Sequence, residues 1–202
     1  MLAAGEAGPS AAGLWPTVAA ALALYAAGIL DNDLTGWAED RRLGRPRPLA
    51  TGEISRASAQ SVRTALFAAG LSLAALAGPA AAATAAALAS LILTYHRGGS
   101  RHPIAGPLLL GLCRALSLGM GAMAQADGGP SARAVVAAAI WCVLIAALAA
   151  AARMEAAIPG RSELIGRLLC AWPLVQAIAV LGSGQTAAPP AAGALLLAAL
   201  LA

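Results

Sequence analysis

The stretch that decides the fold is TALFAAGLSLAALAGPAAAATAAALASLILTY, residues 64–95, which contains no charged side chain. A helix needs about 20 apolar residues to cross a bilayer, so this run is too long for one crossing and long enough for two. Gly78 and Pro79 divide it near the middle, since Gly favours a helix end and Pro a helix start. The sequence predicts a hairpin of two membrane-spanning helices.

The composition of the whole chain agrees with a membrane protein. Of 202 residues, 60% are hydrophobic and only 11% are charged, whereas a soluble domain carries roughly a quarter charged residues. Further apolar runs extend the hairpin to an all-α, multi-span helical bundle of about seven spans. Besides the hairpin, the predicted spans are 14–30, 104–124, 134–152, 164–181 and a last segment, 191–202. That last segment would rise only about 18 Å, too little to cross alone.

Most arginines in the predicted loops lie on one side of the membrane. If the spans alternate in direction, the polar loops 31–56, 96–103 and 153–163 share one face, and the opposite loops hold Arg133 and little else. The shared face carries Arg41, Arg42, Arg45, Arg47, Arg56, Arg97, Arg101, Arg153 and Arg161. The positive-inside rule places this face in the cytoplasm. A nucleic-acid partner is not needed to explain the net charge of +4. We expect a multi-pass protein of a bacterial plasma membrane, with a central cleft open to the cytoplasm.

The first polar loop carries oxygen ligands and guanidinium groups together. Continued as a helix, it would place Asn32 and Asp40 on one face, and Asp33 lies seven residues before Asp40. Such oxygen ligands suit Mg²⁺. The following Arg-Pro-Arg-Pro segment, 45–48, offers guanidinium forks for a phosphate. The pattern is typical of a diphosphate site; an ordinary charged cytoplasmic loop would account for the same residues.

Two further residues have alternative interpretations. Arg114 lies in the middle of a predicted span, where a charge is costly and should face the bundle interior. It would there serve either a ligand site or a hydrogen bond between helices. Tyr95 is expected either to anchor a helix end at the membrane interface or to line the cleft.

Residues 32–55 resemble the first Asp-rich motif of the UbiA-type intramembrane prenyltransferases. The matching residues are Asn32, Asp33, Asp40, Arg47-Pro48-Leu49 and Gly52-Glu53-Ile54-Ser55. Residues 95–103 fall where that family has its second motif, and residues 102–119 are similar to the branch that includes EboC-like proteins. The chain has fewer predicted spans than the family, so the resemblance implies a single prenyltransferase-like domain, 1–202, that lacks the first family helix and ends in a short span.

The resemblance implies transfer of an isoprenyl group from a polyprenyl diphosphate to a small acceptor, aromatic or otherwise nucleophilic, by Mg²⁺-assisted ionisation. In this reading Asp33 and Asp40 are catalytic and, with Asn32, hold Mg²⁺. The diphosphate-binding residues would be Arg47, Arg101, Arg114, Tyr95 and His96. No protein partner is predictable.

The chain also departs from the family pattern at three positions. Gly36 stands where the first motif has an Asp, and His96 and Ser100 stand where the second motif has Asp and Lys. These departures support an alternative, in which the chain is an impaired or inactive relative that only binds an isoprenoid.

Overall fold

The computed structural model describes residues 11–123 and 132–155. These residues form helices and no strand, which confirms the predicted all-α membrane bundle. The helices are α1 (Ala11–Arg42), α2 (Pro48–Thr51), α3 (Arg56–Ala77), α4 (Pro79–His96), α5 (Ala105–Met123) and α6 (Ala132–Glu155). A short 3₁₀ turn, Gly99–Arg101, joins α4 to α5.

Five helices in this part of the chain are long and apolar enough to cross a membrane. They are Trp15–Arg42, Arg56–Ala77, Pro79–His96, Ala105–Met123 and Ala134–Met154. The predicted spans 164–181 and 191–202 lie outside the described residues. The predicted count of about seven is therefore not confirmed, and the described residues contain five candidate spans.

The hairpin between α3 and α4 forms where the sequence predicts it. Gly78 separates the two helices with φ +128°, a conformation that side chains with a Cβ rarely adopt. Its N–H donates to the carbonyl of Ala75 over 3.2 Å, and Pro79 opens α4.

Helix α1 is longer than the sequence predicts. The predicted span ends at residue 30, whereas the helix runs on to Arg42, which is the continuation that places Asn32 and Asp40 on one face. The charged side chains here do not interrupt the backbone hydrogen bonding, and Arg41 and Arg42 in the last turn favour the negative end of the helix dipole. The helix ends where Gly44 takes φ +63° and prolines follow.

Small residues allow the helices to pack closely. The core joins α1, α3, α4 and α5; its buried members are Ala20, Leu24, Ala74, Ala81, Ala85, Leu88, Ala89, Ile92, Cys113 and Met120. Where α1 crosses α3, a Cβ added to Gly70 would lie 2.7 Å from Leu24 Cγ. Backbones that approach this closely are typical of helix interfaces in membranes.

A second apolar cluster fixes the charged end of α1. Leu34 of α1, Leu49 of α2 and Ala59 of α3 are buried together, with Trp37 packed against them. The indole N–H of Trp37 donates to the carbonyl of Leu49 over 3.1 Å. The Arg56 guanidinium lies 4.4 Å from the centre of the same indole ring, within cation–π range. These contacts hold α2 and the preceding turn against α1.

The chain divides into two compact units, residues 1–147 and 148–202. Of the second unit the structure describes 148–155, the last turns of α6. All the residues discussed below belong to the first unit.

Candidate functional site

Two carboxylates of α1 converge on one guanidinium. Arg47 Nη1 lies 2.7 Å from Asp33 Oδ1 and 3.3 Å from Asp40 Oδ2. Asp40 is buried, and its other oxygen accepts a hydrogen bond from Arg45 Nη1 over 2.8 Å. Asp33 and Asp40 are two helical turns apart and share a face, as their spacing predicts. The structure thus brings together Asp33, Asp40 and Arg47, which the sequence placed in one site.

The turn after α1 aims Arg47 at these acids. The N–H of Arg45 donates to the backbone carbonyl of Asp40 over 3.0 Å, which folds the chain back onto the end of the helix. Arg47, between two prolines, is extended, with φ −107° and ψ 137°. A residue before proline is restricted to such conformations. The buried Leu49 then anchors the segment, so the guanidinium is held beside the acids by local backbone geometry.

A second charged cluster joins three helices. Asp31 of α1 is 1% exposed. Its Oδ1 accepts a hydrogen bond from Arg63 Nη1 of α3 over 2.9 Å, and its Oδ2 lies 3.0 Å from His96 Nδ1 at the end of α4. Both carboxylate oxygens of Asp31 are therefore engaged, which is how a buried charge is satisfied.

A cavity of about 250 Å³ lies between α1, α4 and α5. His96 of the second cluster lines it, whereas Asp33, Asp40 and Arg47 do not. Most of its lining is apolar. The polar side chains in the lining are Asn32, Tyr95, His96, Arg114 and Ser117. An apolar cleft with a few convergent polar groups is the usual form of a small-molecule site, although this one is slightly smaller than the usual range.

Arg114 supplies a positive charge to this cavity from within α5. Its guanidinium carbon lies 5.1 Å from the centre of the Tyr25 ring, a cation–π contact between α5 and α1. No carboxylate within residues 11–123 and 132–155 pairs with it. Of the two roles considered for Arg114, its place in the cavity lining favours a ligand site.

The remaining predicted residues divide between the cavity and the surface. Asn32 lines the cavity, whereas its neighbour Asp33 turns to Arg47, because successive residues of a helix point about 100° apart. Tyr95 and His96 also line the cavity, with their rings 5.3 Å apart in an edge-on arrangement. Arg101 is exposed in the 3₁₀ turn and does not belong to the cavity lining.

The residues suited to a metal ion are fewer than the resemblance implies. Across the two described ranges no group of three or more His, Cys, Asp or Glu side chains could hold an ion. Asp33 and Asp40 nevertheless both contact Arg47 Nη1, so the two carboxylates are close enough to bind one cation between them. A Cβ on Gly36 would lie 3.6 Å from Asp40 Oδ2, an ordinary contact. The position where the family motif has an Asp is thus adjacent to this pair.

Asp31 and Arg63 were not expected in the site. Arg63 is the only charged residue between Ala57 and Tyr95. An arginine within a membrane-spanning helix needs a partner facing the bundle interior, and this signal predicts a buried acid. Sequence spacing cannot name Asp31 as that acid, because the two residues lie 32 positions apart.

Helices long and apolar enough to cross a membrane define an integral membrane protein. Its acids and arginines form a charged site at the helix ends, and His96 and Arg114 line an apolar cavity. The model of the UbiA prenyltransferase family matches residues 1–202, so the chain belongs to that family. No curated protein and no solved structure matches the chain. Membership implies a membrane-embedded prenyltransferase in general terms; the family uses a prenyl diphosphate and an acceptor, generally with Mg²⁺ bound through Asp motifs.

Proposed function

We propose that the chain transfers an isoprenyl group from a polyprenyl diphosphate to a small nucleophilic acceptor. The observation that carries this proposal is the convergence of Asp33 and Asp40 on one cationic group, Arg47 Nη1. A site that gathers two carboxylates and a guanidinium at the end of a membrane-spanning helix suits a diphosphate bound through a cation. The prenyl chain would lie among apolar helices.

The donor set fits Mg²⁺, which prefers carboxylate oxygens and keeps sites for water and phosphate. Asp33 and Asp40 would hold the ion, with Asn32 one helical position away. Bound Mg²⁺ supplies electrostatic stabilisation of the departing diphosphate. Arg47 contributes a permanent positive charge and a planar fork for phosphate oxygens. Arg101 would reach the same phosphates from the 3₁₀ turn.

The protein's own residues supply the rest of the chemistry. Breaking the bond between the prenyl carbon and the diphosphate oxygen leaves an allylic cation, which bulk water would hydrolyse. The largely apolar cavity between α1, α4 and α5 limits access of water to that cation. Tyr95, His96 and Arg114 would hold the reactants from the cavity side.

The direct test is turnover in membranes that carry the protein. Labelled farnesyl or geranylgeranyl diphosphate is supplied with Mg²⁺ and candidate acceptors, and the prenylated product is measured. Asp33→Ala and Asp40→Ala should each lower the rate at least 100-fold, and EDTA should abolish it. Glu39→Gln is the matched control, because Glu39 is an exposed acid of the same helix. Unchanged turnover in both Asp variants would overturn the proposed roles.

A second function is favoured by one observation, the scarcity of metal-ligating groups in the described ranges. A relative that binds an isoprenoid without transferring it would keep the fold and the cavity. Gly36→Asp separates the two cases, since the added carboxylate would stand beside Asp40. If Gly36→Asp creates turnover that the wild-type chain lacks, the natural protein is the non-catalytic relative. Turnover by the wild-type chain in the membrane assay would exclude this non-catalytic function.

A further inference from the structure

Asp31 uses both oxygens to fix partners from two other helices. Arg63 donates to Oδ1, and this ion pair already balances the buried negative charge. Because a carboxylate only accepts hydrogen bonds, the 3.0 Å contact between His96 Nδ1 and Asp31 Oδ2 favours the His96 tautomer that carries its proton on Nδ1.

The second ring nitrogen of His96 is left as an acceptor. Nε2 has no hydrogen-bond partner within residues 11–123 and 132–155. The side chain is only 11% exposed and contributes to the cavity lining. An oriented lone pair beside a largely apolar cavity suits a ligand that brings a hydrogen-bond donor.

We propose that His96 is the proton acceptor for a hydroxyl-bearing acceptor molecule, and that Asp31 is the positioning residue that sets its tautomer. The inference rests on the proposed prenyl transfer and deepens it by naming the chemical class of the acceptor. A buried Asp that orients a neutral His in this way is a known arrangement for proton removal from a hydroxyl.

Transfer to a hydroxyl acceptor forms one bond and breaks another. The acceptor oxygen forms a bond to the first carbon of the prenyl group, and the bond from that carbon to the diphosphate oxygen breaks. The diphosphate leaves with the electron pair of the broken bond. The hydroxyl proton passes to His96 Nε2 and later to water. The Arg114 guanidinium, in the same cavity lining, favours the negative charge that grows on the acceptor oxygen.

The tautomer is measurable in the purified full chain without any assay of activity. The chain has only two histidines, His96 and His102, and His102→Asn leaves His96 alone. Imidazole nitrogen chemical shifts of histidine labelled with ¹⁵N should show a protonated Nδ1 and a bare Nε2. In Asp31→Asn, the amide oxygen can still accept from Arg63, and the amide N–H₂ then faces His96 Nδ1. Because two donors cannot hydrogen-bond to each other, the imidazole proton of His96 should move to Nε2. A bare Nδ1 in the His102→Asn protein, or no change in Asp31→Asn, would overturn the proposal.

The hydroxyl preference is tested with two small probes. Phenol carries a donor, whereas anisole has nearly the same shape and none. Phenol should shift the Nε2 signal and anisole should not. Equal shifts from both compounds would show that His96 does not accept a hydrogen bond from the hydroxyl, and the proposed class of acceptor would be wrong.

Kinetics complete the test. Asp31→Asn and His96→Gln should lower kcat for transfer to a hydroxyl acceptor about 100-fold or more, the usual contribution of a general base. The Kd of Asp31→Asn for farnesyl diphosphate should stay within twofold of wild type, and His102→Asn should transfer at the wild-type rate. A kcat within threefold of wild type in both variants would overturn this inference alone. A wild-type chain that neither binds farnesyl diphosphate with Mg²⁺ nor transfers would overturn the proposed function as well.

Discussion

At the scale of the residue, the two buried carboxylates of α1 each have basic partners. Asp31 is satisfied by Arg63 and His96, and Asp40 by Arg45 and Arg47. Removing one member of a buried pair leaves the other uncompensated, which costs more than the pair contributes. The ion pairs are therefore expected to matter for stability as well as for chemistry.

Asp31→Ala should destabilise the protein by about 3 kcal/mol, because Arg63 would lose its carboxylate and His96 its fixed partner. Thermal unfolding of the purified protein in detergent measures the change. Glu39→Gln, at an exposed position of the same helix, should stay within about 0.5 kcal/mol of wild type. Equal stability of Asp31→Ala and wild type would show that the Asp31 cluster is not a buried network.

The contact between Asp33, Asp40 and Arg47 was predictable because these residues lie near one another in sequence. Asp33, Asp40 and Arg47 fall within one short segment, so helical periodicity and a proline-bounded turn suffice to bring them together. The partnership of Asp31 with Arg63 and His96 depends on how α1, α3 and α4 pack. Local spacing contains no information on that packing, and the sequence accordingly missed Asp31.

At the scale of the element, glycine and proline made the α3–α4 hairpin predictable to the residue. The continuation of α1 to Arg42 was not, because charged residues are read as the end of a membrane span although the backbone helix extends past it. The polar end of α1 carries Asp33 and Asp40 toward Arg47. The helix that spans the membrane thus also builds the site.

The crossing of α1 and α3 gives a sharp test of helix packing. Gly70→Ala should destabilise the protein by about 1–3 kcal/mol, since the new Cβ would lie 2.7 Å from Leu24 Cγ and 3.3 Å from the carbonyl oxygen of Ala20. Gly119→Ala is the matched control, because no atom of the described residues outside its own helix lies within 4 Å of the added Cβ. Unfolding midpoints compare the two. A Gly70→Ala protein as stable as Gly119→Ala would contradict the close approach.

At the scale of the whole molecule, composition and hydropathy predicted the class of protein, and the family match agrees with it. Orientation remains a prediction from the arginine distribution. The two clusters and Arg101 all belong to the arginine-rich side, so the site and the positive charge should face the same compartment.

Cysteine labelling tests the orientation. In a chain whose own three cysteines are replaced by alanine, Glu53→Cys lies on the arginine-rich side and Ala80→Cys at the α3–α4 hairpin; both positions are exposed. A membrane-impermeant maleimide added to intact cells should label Ala80→Cys and spare Glu53→Cys, and inside-out vesicles should reverse this pattern. Labelling of Glu53→Cys in intact cells would place the site outside.

The central claim is that Asp33 and Asp40 bind a polyprenyl diphosphate through a cation. Its most direct measurement is calorimetric titration of the purified protein with farnesyl diphosphate, with Mg²⁺ and then with EDTA. We expect affinity to fall at least tenfold in EDTA and in Asp33→Ala and Asp40→Ala with Mg²⁺ present, while Glu39→Gln binds as wild type does. Equal affinity with Mg²⁺ and EDTA, undiminished in both Asp variants, would contradict the claim.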